Sequence, residues 1–226
     1  MDPTVELWLL DAAAVPVDRA ALGRLDEEEH RRAARFVREA DRTTYLAAHV
    51  ALRGVLGRRL GAAPESLVFV REPCPDCSGP HGRPRLADGG PGAPHFSLSH
   101  GGGRVLIGVA AVPVGVDVEP LPGAESVEVL SPALHPAERA ELADVGPADR
   151  PRAFARLWTR KEAYLKGLGI GLGRPPAADY LGTAEPGRRP PGWAVADLPA
   201  GHRHAAAVAL PGASTTVPYR LRHTLG

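Results

Sequence analysis

Two stretches of the chain share one layout, in which a short helical pattern is followed by a longer one that ends in Leu-Gly. The first stretch predicts a helix from Asp26 to Phe36 and a longer helix from Asp41 to Leu60. The second predicts a short helix from His135 to Leu142 and a longer one from Pro151 to Leu168. The long helices share little else beyond their apolar periodicity. The sequence therefore favours a duplicated architecture, on layout rather than on residue identity.

Strand-like segments follow each long helix. Apolar and β-branched patterns predict strands at 66–71, 105–111, 114–118, 192–196, 203–210 and 215–221. Gly- and Pro-rich stretches at 72–94 and 173–192 predict long surface loops. This mixture of elements predicts an α+β fold, and 226 residues suffice for one large domain or two smaller lobes.

The charge balance restricts the expected partners. A formal net charge of +1 gives the molecule no overall attraction for nucleic acid or for an anionic membrane surface, so we expect neither as a partner. No apolar run approaches the roughly 20 residues of a membrane span, and the first residues lack a basic region that leads into an apolar core. We therefore expect a cytoplasmic protein whose anion sites, if it has any, are local.

Lysine is confined to one run of the sequence. Lys161 and Lys166 are the only lysines among 27 cationic side chains, and both lie between Trp158 and Lys166. A compact ammonium suits a phosphate contact that a planar guanidinium makes badly, although chance placement is the alternative. Helical spacing places Glu162 and Lys166 on one stripe, where a surface ion pair would be the less specific interpretation. Lys161 points about 100° away from Glu162, and for it a solvated side chain is the alternative.

Paired carboxylates lie in the motif Gly115–Glu119. Period-two alternation places Val114, Val116 and Val118 on one face of a strand and Asp117 with Glu119 on the other. Two like charges side by side are costly unless a cation lies between them, and Mg²⁺ takes oxygen ligands of this kind. A strand end that emerges into solvent would also explain the pair.

A third motif, Phe96–His100, alternates apolar residues with Ser97 and Ser99 and runs into three glycines. His81-Gly82-Arg83-Pro84 precedes it. Backbone amides in a glycine run can approach a phosphate. The motif by itself also fits a strand that ends at a turn.

These three motifs together resemble the signature set of the 4′-phosphopantetheinyl transferases. Their order, and the separation of about 40 residues between Glu119 and the lysine run, are similar to the long, monomeric Sfp type. The resemblance implies two similar α/β lobes that form a pseudo-dimer with the active site in the cleft between them. Residues 1–112 would form the N-terminal lobe with the nucleotide-contacting motifs, and residues 113–226 the C-terminal lobe with the metal and catalytic motifs.

The same resemblance implies a reaction. The enzyme would transfer the 4′-phosphopantetheine group from coenzyme A to a serine of an apo acyl or peptidyl carrier protein, as in polyketide or nonribosomal peptide biosynthesis, and would release 3′,5′-ADP. Asp117, Glu119 and Glu162 would hold Mg²⁺, with Glu162 also helping to deprotonate the serine and Lys166 near the phosphates. The implied nucleotide contacts are Arg38, Arg42, Gly82, Arg83, Pro84, Ser99 and His100.

Two other functions and one further site stay open at the level of sequence. A non-catalytic module that binds coenzyme A or a carrier protein would need neither a metal nor a base, and a metal-dependent phosphodiesterase would use the same groups. The motif Cys74-Pro75-Asp76-Cys77 with His81, and with His95 as a fourth residue, offers zinc-type ligands. Two reduced surface thiols, or a redox pair, are the alternatives.

Overall fold

The structure is a computed structural model, and it describes residues 4–90, 92–170, 173–184, 186–212 and 216–225. Its strands are β1 (Val5–Asp11), β2 (Phe69–Arg71), β3 (Pro84–Leu86), β4 (His95–Gly101), β5 (Arg104–Ala110), β6 (Gly115–Pro120), β7 (Trp193–Leu198), β8 (His204–Pro211) and β9 (Tyr219–Arg222). Its helices are α1 (Arg19–Leu22), α2 (Glu27–Ala33), α3 (Glu39–Leu60), α4 (Ala124–Leu130), α5 (Pro136–Ala143) and α6 (Arg150–Leu168). The prediction of a mixed α+β fold is confirmed.

The helix ends follow local chemistry. At the start of α2, the Asp26 side chain accepts from the Glu29 amide and the Glu29 side chain accepts from the Asp26 amide, which satisfies two otherwise unpaired donors. Both long helices end at a glycine in the left-handed region, Gly61 with φ 64° and Gly169 with φ 78°. Glycine adopts this conformation without strain, so the repeated Leu-Gly marks two helix ends of the same kind.

Two sheets pack between two helices. Strands β4, β5, β1 and β9 form the first sheet in that order, with β1 antiparallel to β5 and parallel to β9. Strands β6, β8 and β7 form the antiparallel second sheet. Strands β2 and β3 form a small antiparallel hairpin. Its second strand, β3, falls within the stretch 72–94 that was predicted to be a loop.

Side-chain alternation assigns each face of the two sheets to a layer. In β1, Trp8 and Leu10 pack with α3, whereas Leu7 and Leu9 belong to a core shared with the second sheet. Val116 and Val118 of β6, and Val114 just before it, lie in that shared core. The predicted valine face is therefore confirmed, and Asp117 is left on the opposite face, where α6 lies.

Helix α6 lies unusually close to the second sheet. A Cβ atom at Gly115 would come within 1.8 Å of the Ala163 carbonyl oxygen, so only glycine fits beneath the helix there. Ala207 and Ala209 of β8 pack with Ala163 and Tyr164 in the same layer. Small residues on this face of the sheet thus bring one face of α6 against the strand that carries Asp117.

Several elements differ from the sequence predictions. Strand β1 and helices α1 and α4 were not predicted. The Val5–Asp11 segment lacks period-two alternation, α1 is a single turn, and α4 starts after Gly123 without the side-chain cap that marks the equally short α2. The predicted strand 215–221 begins at Thr215, outside the described residues, and β9 begins only at Tyr219. Within the described residues, no helix combines the length and the apolar composition that a membrane crossing requires.

Candidate active site

Asp117 lies at the centre of the candidate site. Its side chain is only 1% exposed. Its Oδ1 atom accepts a hydrogen bond from Ser99 Oγ at 2.7 Å and lies 2.6 Å from Lys166 Nζ. Lys166 Nζ also lies 3.2 Å from Ser99 Oγ. The structure thus brings together one residue from each of the three sequence motifs.

Serine side chains connect the two sheets at this site. The Val116 amide donates to Ser97 Oγ at 3.1 Å, and the Val118 amide donates to Ser99 Oγ at 3.2 Å. These contacts pair the edge strands β4 and β6 through side chains rather than through a backbone ladder. Ser99 is 6% exposed, so its hydroxyl is committed to this junction. The nucleotide contact implied for Ser99 stays a prediction.

Glu119 and Glu162 flank Asp117. Burial, followed by the charges of Asp117 and Glu162, raises the pKa of Glu119 to about 7, although Lys166 opposes the shift. Burial and then the charge of Asp117 also raise the pKa of Glu162. Both shifts have burial as their first cause and the charge of Asp117 as their second, and the charge of Lys166 offsets them only in part.

The second carboxylate oxygen of Asp117 is unpaired. Its Oδ2 atom is buried and is the one buried side-chain polar atom without a hydrogen-bond partner in the part of the chain that the structure describes. A buried carboxylate oxygen without a partner is costly. A hard divalent cation prefers carboxylate oxygens, so the donor set of Asp117, Glu119 and Glu162 fits Mg²⁺ in its chemistry.

The three carboxylates are not gathered as tightly as a coordination shell. Among the described residues, only Cys74, Cys77 and His81 form a group whose ligand atoms all lie within 4.8 Å of one another. Beside Asp117, the ammonium of Lys166 supplies positive charge instead. His95 is not a member of the cysteine group.

An open cavity of about 550 Å³ adjoins Lys166. The predicted residues Gly82, Arg83, Pro84 and His100 line it. Burial, then the positive charges of its neighbours, lowers the pKa of His100 to about 4. His100 is therefore a neutral hydrogen-bonding group at neutral pH.

Arg83 has structural partners at the cavity wall. Its guanidinium donates to Glu72 Oε2 at 3.0 Å and to the Gly167 carbonyl oxygen, near the end of α6, at 2.7 Å. Gly82 is required by space, since a Cβ there would lie 2.4 Å from the Glu72 carbonyl oxygen. The predicted Gly82-Arg83-Pro84 segment thus lines the cavity and contacts α6, the helix that carries both lysines.

The chain is similar to known proteins over most of its length. The chain is 32% identical to a putative 4′-phosphopantetheinyl transferase of Synechocystis sp. over 76% of this chain and 68% of that protein. It is 30% identical to the 4′-phosphopantetheinyl transferase HetI of Nostoc sp. over 83% of this chain and 79% of that protein. The chain belongs to the 4′-phosphopantetheinyl transferase family.

Two further matches agree with this assignment. The model of the 4′-phosphopantetheinyl transferase superfamily matches residues 113–190, which contain both the carboxylate motif and the lysine run. The 4′-phosphopantetheinyl transferase Sfp of Bacillus subtilis is 26% identical over 67% of this chain, and the match spans 63% of Sfp. The predicted family is therefore confirmed, and the protein is a transferase of this type.

Arg38 and Arg42, the two N-terminal arginines implied as nucleotide contacts, do not line the cavity. Arg38 precedes α3 without a side-chain cap, and Arg42 pairs with Glu39 on the exposed side of that helix. Of the described arginines in this region, Arg32 lines the cavity and these two do not. Their implied contact with the nucleotide stays a prediction.

Sequence reasoning missed a stripe of α3 that faces the cavity. Tyr45 and His49 line it one turn apart, and Arg53 continues the same stripe into the interior. The rings of Tyr45 and His100 lie 5.6 Å apart between centroids. Polar or aromatic residues at a spacing of four on a helix that is otherwise rich in alanine and leucine were the available signal.

The interpretation of Lys161 as a solvated side chain is wrong. Lys161 is 2% exposed, and its Nζ lies 2.7 Å from Glu138 Oε2 and donates to the carbonyl oxygens of Pro176 and Asp179 at 2.8 and 2.7 Å. Helix α5 and the segment around 176–181 cover this face of α6. Lys161 thus anchors the far side of the helix that presents Lys166 to Asp117.

Proposed function

We propose that this transferase moves the 4′-phosphopantetheine group from coenzyme A to a serine of an apo acyl or peptidyl carrier protein. The serine oxygen forms a bond to the phosphorus next to the pantetheine, and the bond from that phosphorus to the bridging oxygen breaks. The serine proton goes to a base, and 3′,5′-ADP leaves with the electron pair of the broken bond. The products are holo carrier protein and 3′,5′-ADP.

The observation that supports this proposal is the unmatched charge around Asp117. A buried carboxylate with one oxygen unpartnered, beside two further carboxyl groups whose pKa is raised, favours the uptake of a divalent cation and a polyanion together. A phosphoryl transfer between a pyrophosphate and an alcohol needs positioning and charge neutralisation above all. The site has the residue types for both.

We further propose that Asp117, Glu119 and Glu162 hold Mg²⁺. When bound, the ion would neutralise charge on the pyrophosphate oxygens. Glu162 accepts the proton of the carrier serine. Lys166 donates to the phosphate that departs with 3′,5′-ADP.

The 550 Å³ cavity is the proposed binding site for the nucleotide of coenzyme A. Arg32 and Arg83 contribute positive charge to its lining, while Tyr45 and neutral His100 offer a ring face and hydrogen bonds. Lys166 lines the cavity and also contacts Asp117. A pyrophosphate bound at Lys166 would therefore connect a nucleotide in the cavity to the three carboxylates.

We also propose the two-lobed arrangement that the family resemblance implies. Helix α3 on the first sheet and helix α6 on the second would be the related halves, divided near 112/113, with the junction of β4 and β6 at the base of the cleft. Strand β9 then crosses back to the first half. We propose a cytoplasmic monomer that docks its carrier protein through local contacts, since its net charge of +1 offers little general attraction.

The test is a mass measurement on the carrier protein. Incubation of the transferase with coenzyme A, Mg²⁺ and an apo carrier protein should raise the carrier mass by one phosphopantetheine, and EDTA should abolish the increase. Release of phosphopantetheine without carrier modification would instead indicate a phosphodiesterase. Coenzyme A binding with no turnover at any Mg²⁺ or Mn²⁺ concentration would indicate a binding module, and either result would disprove the transfer.

A further inference from the structure

The loop between β2 and β3 is closed at its base and gathers three metal-type ligands at its tip. At the base, the Glu72 amide donates to the Arg83 carbonyl oxygen at 2.9 Å, and the Gly82 amide donates to the Glu72 carbonyl oxygen at 3.0 Å. At the tip, Cys77 Sγ lies 3.0 Å from His81 Nε2, and the ligand atoms of Cys74, Cys77 and His81 all lie within 4.8 Å of one another. No catalytic role proposed above uses these three side chains.

Backbone hydrogen bonds close the turn at the tip of the loop. The Cys74 amide donates to the Gly79 carbonyl oxygen at 2.8 Å. The turn itself is fixed by the Ser78 amide, which donates to the Cys74 carbonyl oxygen at 2.8 Å, with Ser78 in the left-handed region at φ 59°. These hydrogen bonds and the positive φ of Ser78 favour one conformation of the turn that carries Cys74 and Cys77.

Gly79 is packed against two of the three ligands. A Cβ at this position would lie 3.0 Å from the His81 ring and 3.3 Å from Cys77 Sγ. A side chain at this position would crowd both ligands, and glycine lets the backbone pass close to them.

We propose that the loop binds one Zn²⁺ ion through Cys74 Sγ, Cys77 Sγ and His81 Nε2, with water as the fourth ligand. Two sulfurs and one imidazole select a soft or borderline cation such as zinc over the magnesium that suits carboxylates. Bond lengths of about 2.3 Å to sulfur and about 2.0 Å to nitrogen separate the ligand atoms of a tetrahedral site by about 3.5 Å. The observed 3.0 Å contact would widen by about 0.5 Å. Binding releases the two thiol protons to solvent.

The position of the loop gives this zinc a structural role. Cys74 is buried against Leu165 and Ile170 at the end of α6. Arg83, at the base of the same loop, donates to the Gly167 carbonyl oxygen. The ion would therefore fix the loop against the helix that carries Lys166, from a place separate from the carboxylate site.

The first experiment measures metal in the full-length chain, purified without an affinity tag that binds metal. We expect about one zinc per chain, which chelation removes. Cys77→Ser and His81→Ala should each lose it, whereas His95→Ala, which changes a neighbouring imidazole outside the group, should keep it. Cys77 is exposed, so its substitution leaves the core intact, and circular dichroism should show a folded variant.

Cobalt and hydrogen exchange make the test independent of purification history. Co²⁺ added to the stripped protein should give the near-ultraviolet sulfur-to-cobalt absorbance, and the amides of Cys74 and Ser78 should exchange more slowly with metal bound. Zinc far below one per chain together with no cobalt absorbance would overturn the proposal. A mass two hydrogens lower, from a Cys74–Cys77 disulfide in protein that takes up no metal after reduction, would also overturn it.

Discussion

Two buried clusters of charge in this molecule differ in whether their charges are matched. In the first, Arg53 is 0% exposed and donates to Glu29 at 2.8 Å and to Asp26 at 2.9 Å. His49 Nδ1 lies 2.7 Å from the second oxygen of Glu29. In the second, Asp117 has an unpartnered oxygen, and Lys166 is its one cationic partner among the described residues.

The pKa values show the same contrast. Burial raises the pKa of Glu29, but the hydrogen bond with His49, the Asp26 amide and the charge of Arg53 together hold it below its ordinary value. Burial, and then the charge of Asp117, raise the pKa of Glu119 to about 7, because the opposing charge of Lys166 offsets them only in part. A saturated cluster stabilises the fold, whereas an unsaturated one has capacity left for a ligand.

The largest expected effect comes from breaking the saturated cluster. Arg53→Met should lower the free energy of unfolding by about 3–5 kcal/mol, because buried Glu29 loses its guanidinium partner and the carbonyl oxygens of Pro64 and Leu67 lose their donor. Arg59→Met is the matched control, since Arg59 pairs with Glu6 in a partly exposed contact at 3.1 Å and should cost about 1 kcal/mol or less. Urea unfolding measures both, and equal losses would mean that Arg53 is no more important than a surface ion pair.

Asp117→Asn should have the next largest effect, and on activity rather than on stability. It should reduce kcat/KM by about 10²–10³-fold, as expected for loss of one strong electrostatic contact in the transition state. Asparagine still accepts from Ser99, so the fold should survive, but Mg²⁺ should no longer raise the melting temperature. The control is Asp144→Asn on the exposed end of α5. Full activity in Asp117→Asn would remove Asp117 from the site.

The two lysines allow a smaller and more specific comparison. Lys166→Arg should lower kcat by about 10²-fold with little change in coenzyme A affinity, because a broad guanidinium replaces a compact donor. Lys161→Arg should instead lower the free energy of unfolding, since the larger group must fit the buried contact with Glu138, and should leave kcat within about threefold. Single-turnover kinetics decide between them, and a kcat for Lys166→Arg within about threefold of the parent would refute its catalytic role.

The smallest expected effect is a pH dependence of stability without metal. The pKa of Glu119 is raised from 4.5 to about 7 in the folded protein, so its contribution to stability is present below about pH 4.5 and is lost as the pH rises toward 7. His100, whose pKa falls to about 4, contributes stability that is lost as the pH falls below about 6.5.

Comparison with Glu119→Gln isolates the carboxyl group, because His100 is present in both proteins. In EDTA, the stability of the parent relative to this variant should fall between pH 5 and pH 7.5, as measured by urea unfolding. Added Mg²⁺ should reverse the fall in the parent. A difference between the two proteins that does not change with pH would mean that Glu119 carries no raised pKa.

Local patterns predicted the parts of the fold that local chemistry determines. The long helices and the valine face of β6 follow from periodicity, and the family follows from three short motifs. Strand β1 was not predicted because it is buried on both faces and therefore lacks an alternation of apolar and polar residues. A strand that lies between a helix layer and a second sheet is apolar on both sides.

The site was harder to predict where it depends on long-range packing. No sequence spacing indicates that Ser97 and Ser99 accept hydrogen bonds from β6, or that Gly115 admits α6 to within contact of its strand. Lys161 was misjudged for the same reason, because the elements that bury it come from elsewhere in the chain. Helical periodicity shows that Lys161 and Lys166 lie on different faces of α6. Only the tertiary structure shows which residues contact each of them.

The pairing of β9 with β1 has a consequence for any attempt to separate the halves. Val5 lies opposite Tyr219 in a parallel ladder, so the first sheet is completed by a strand from the far end of the sequence. A fragment that stops near residue 112 would expose the edge of β1, together with the apolar face that Leu7 and Leu106 now bury. Unpaired strand edges and bare apolar faces promote self-association. The N-terminal half would therefore aggregate rather than persist as an independent module.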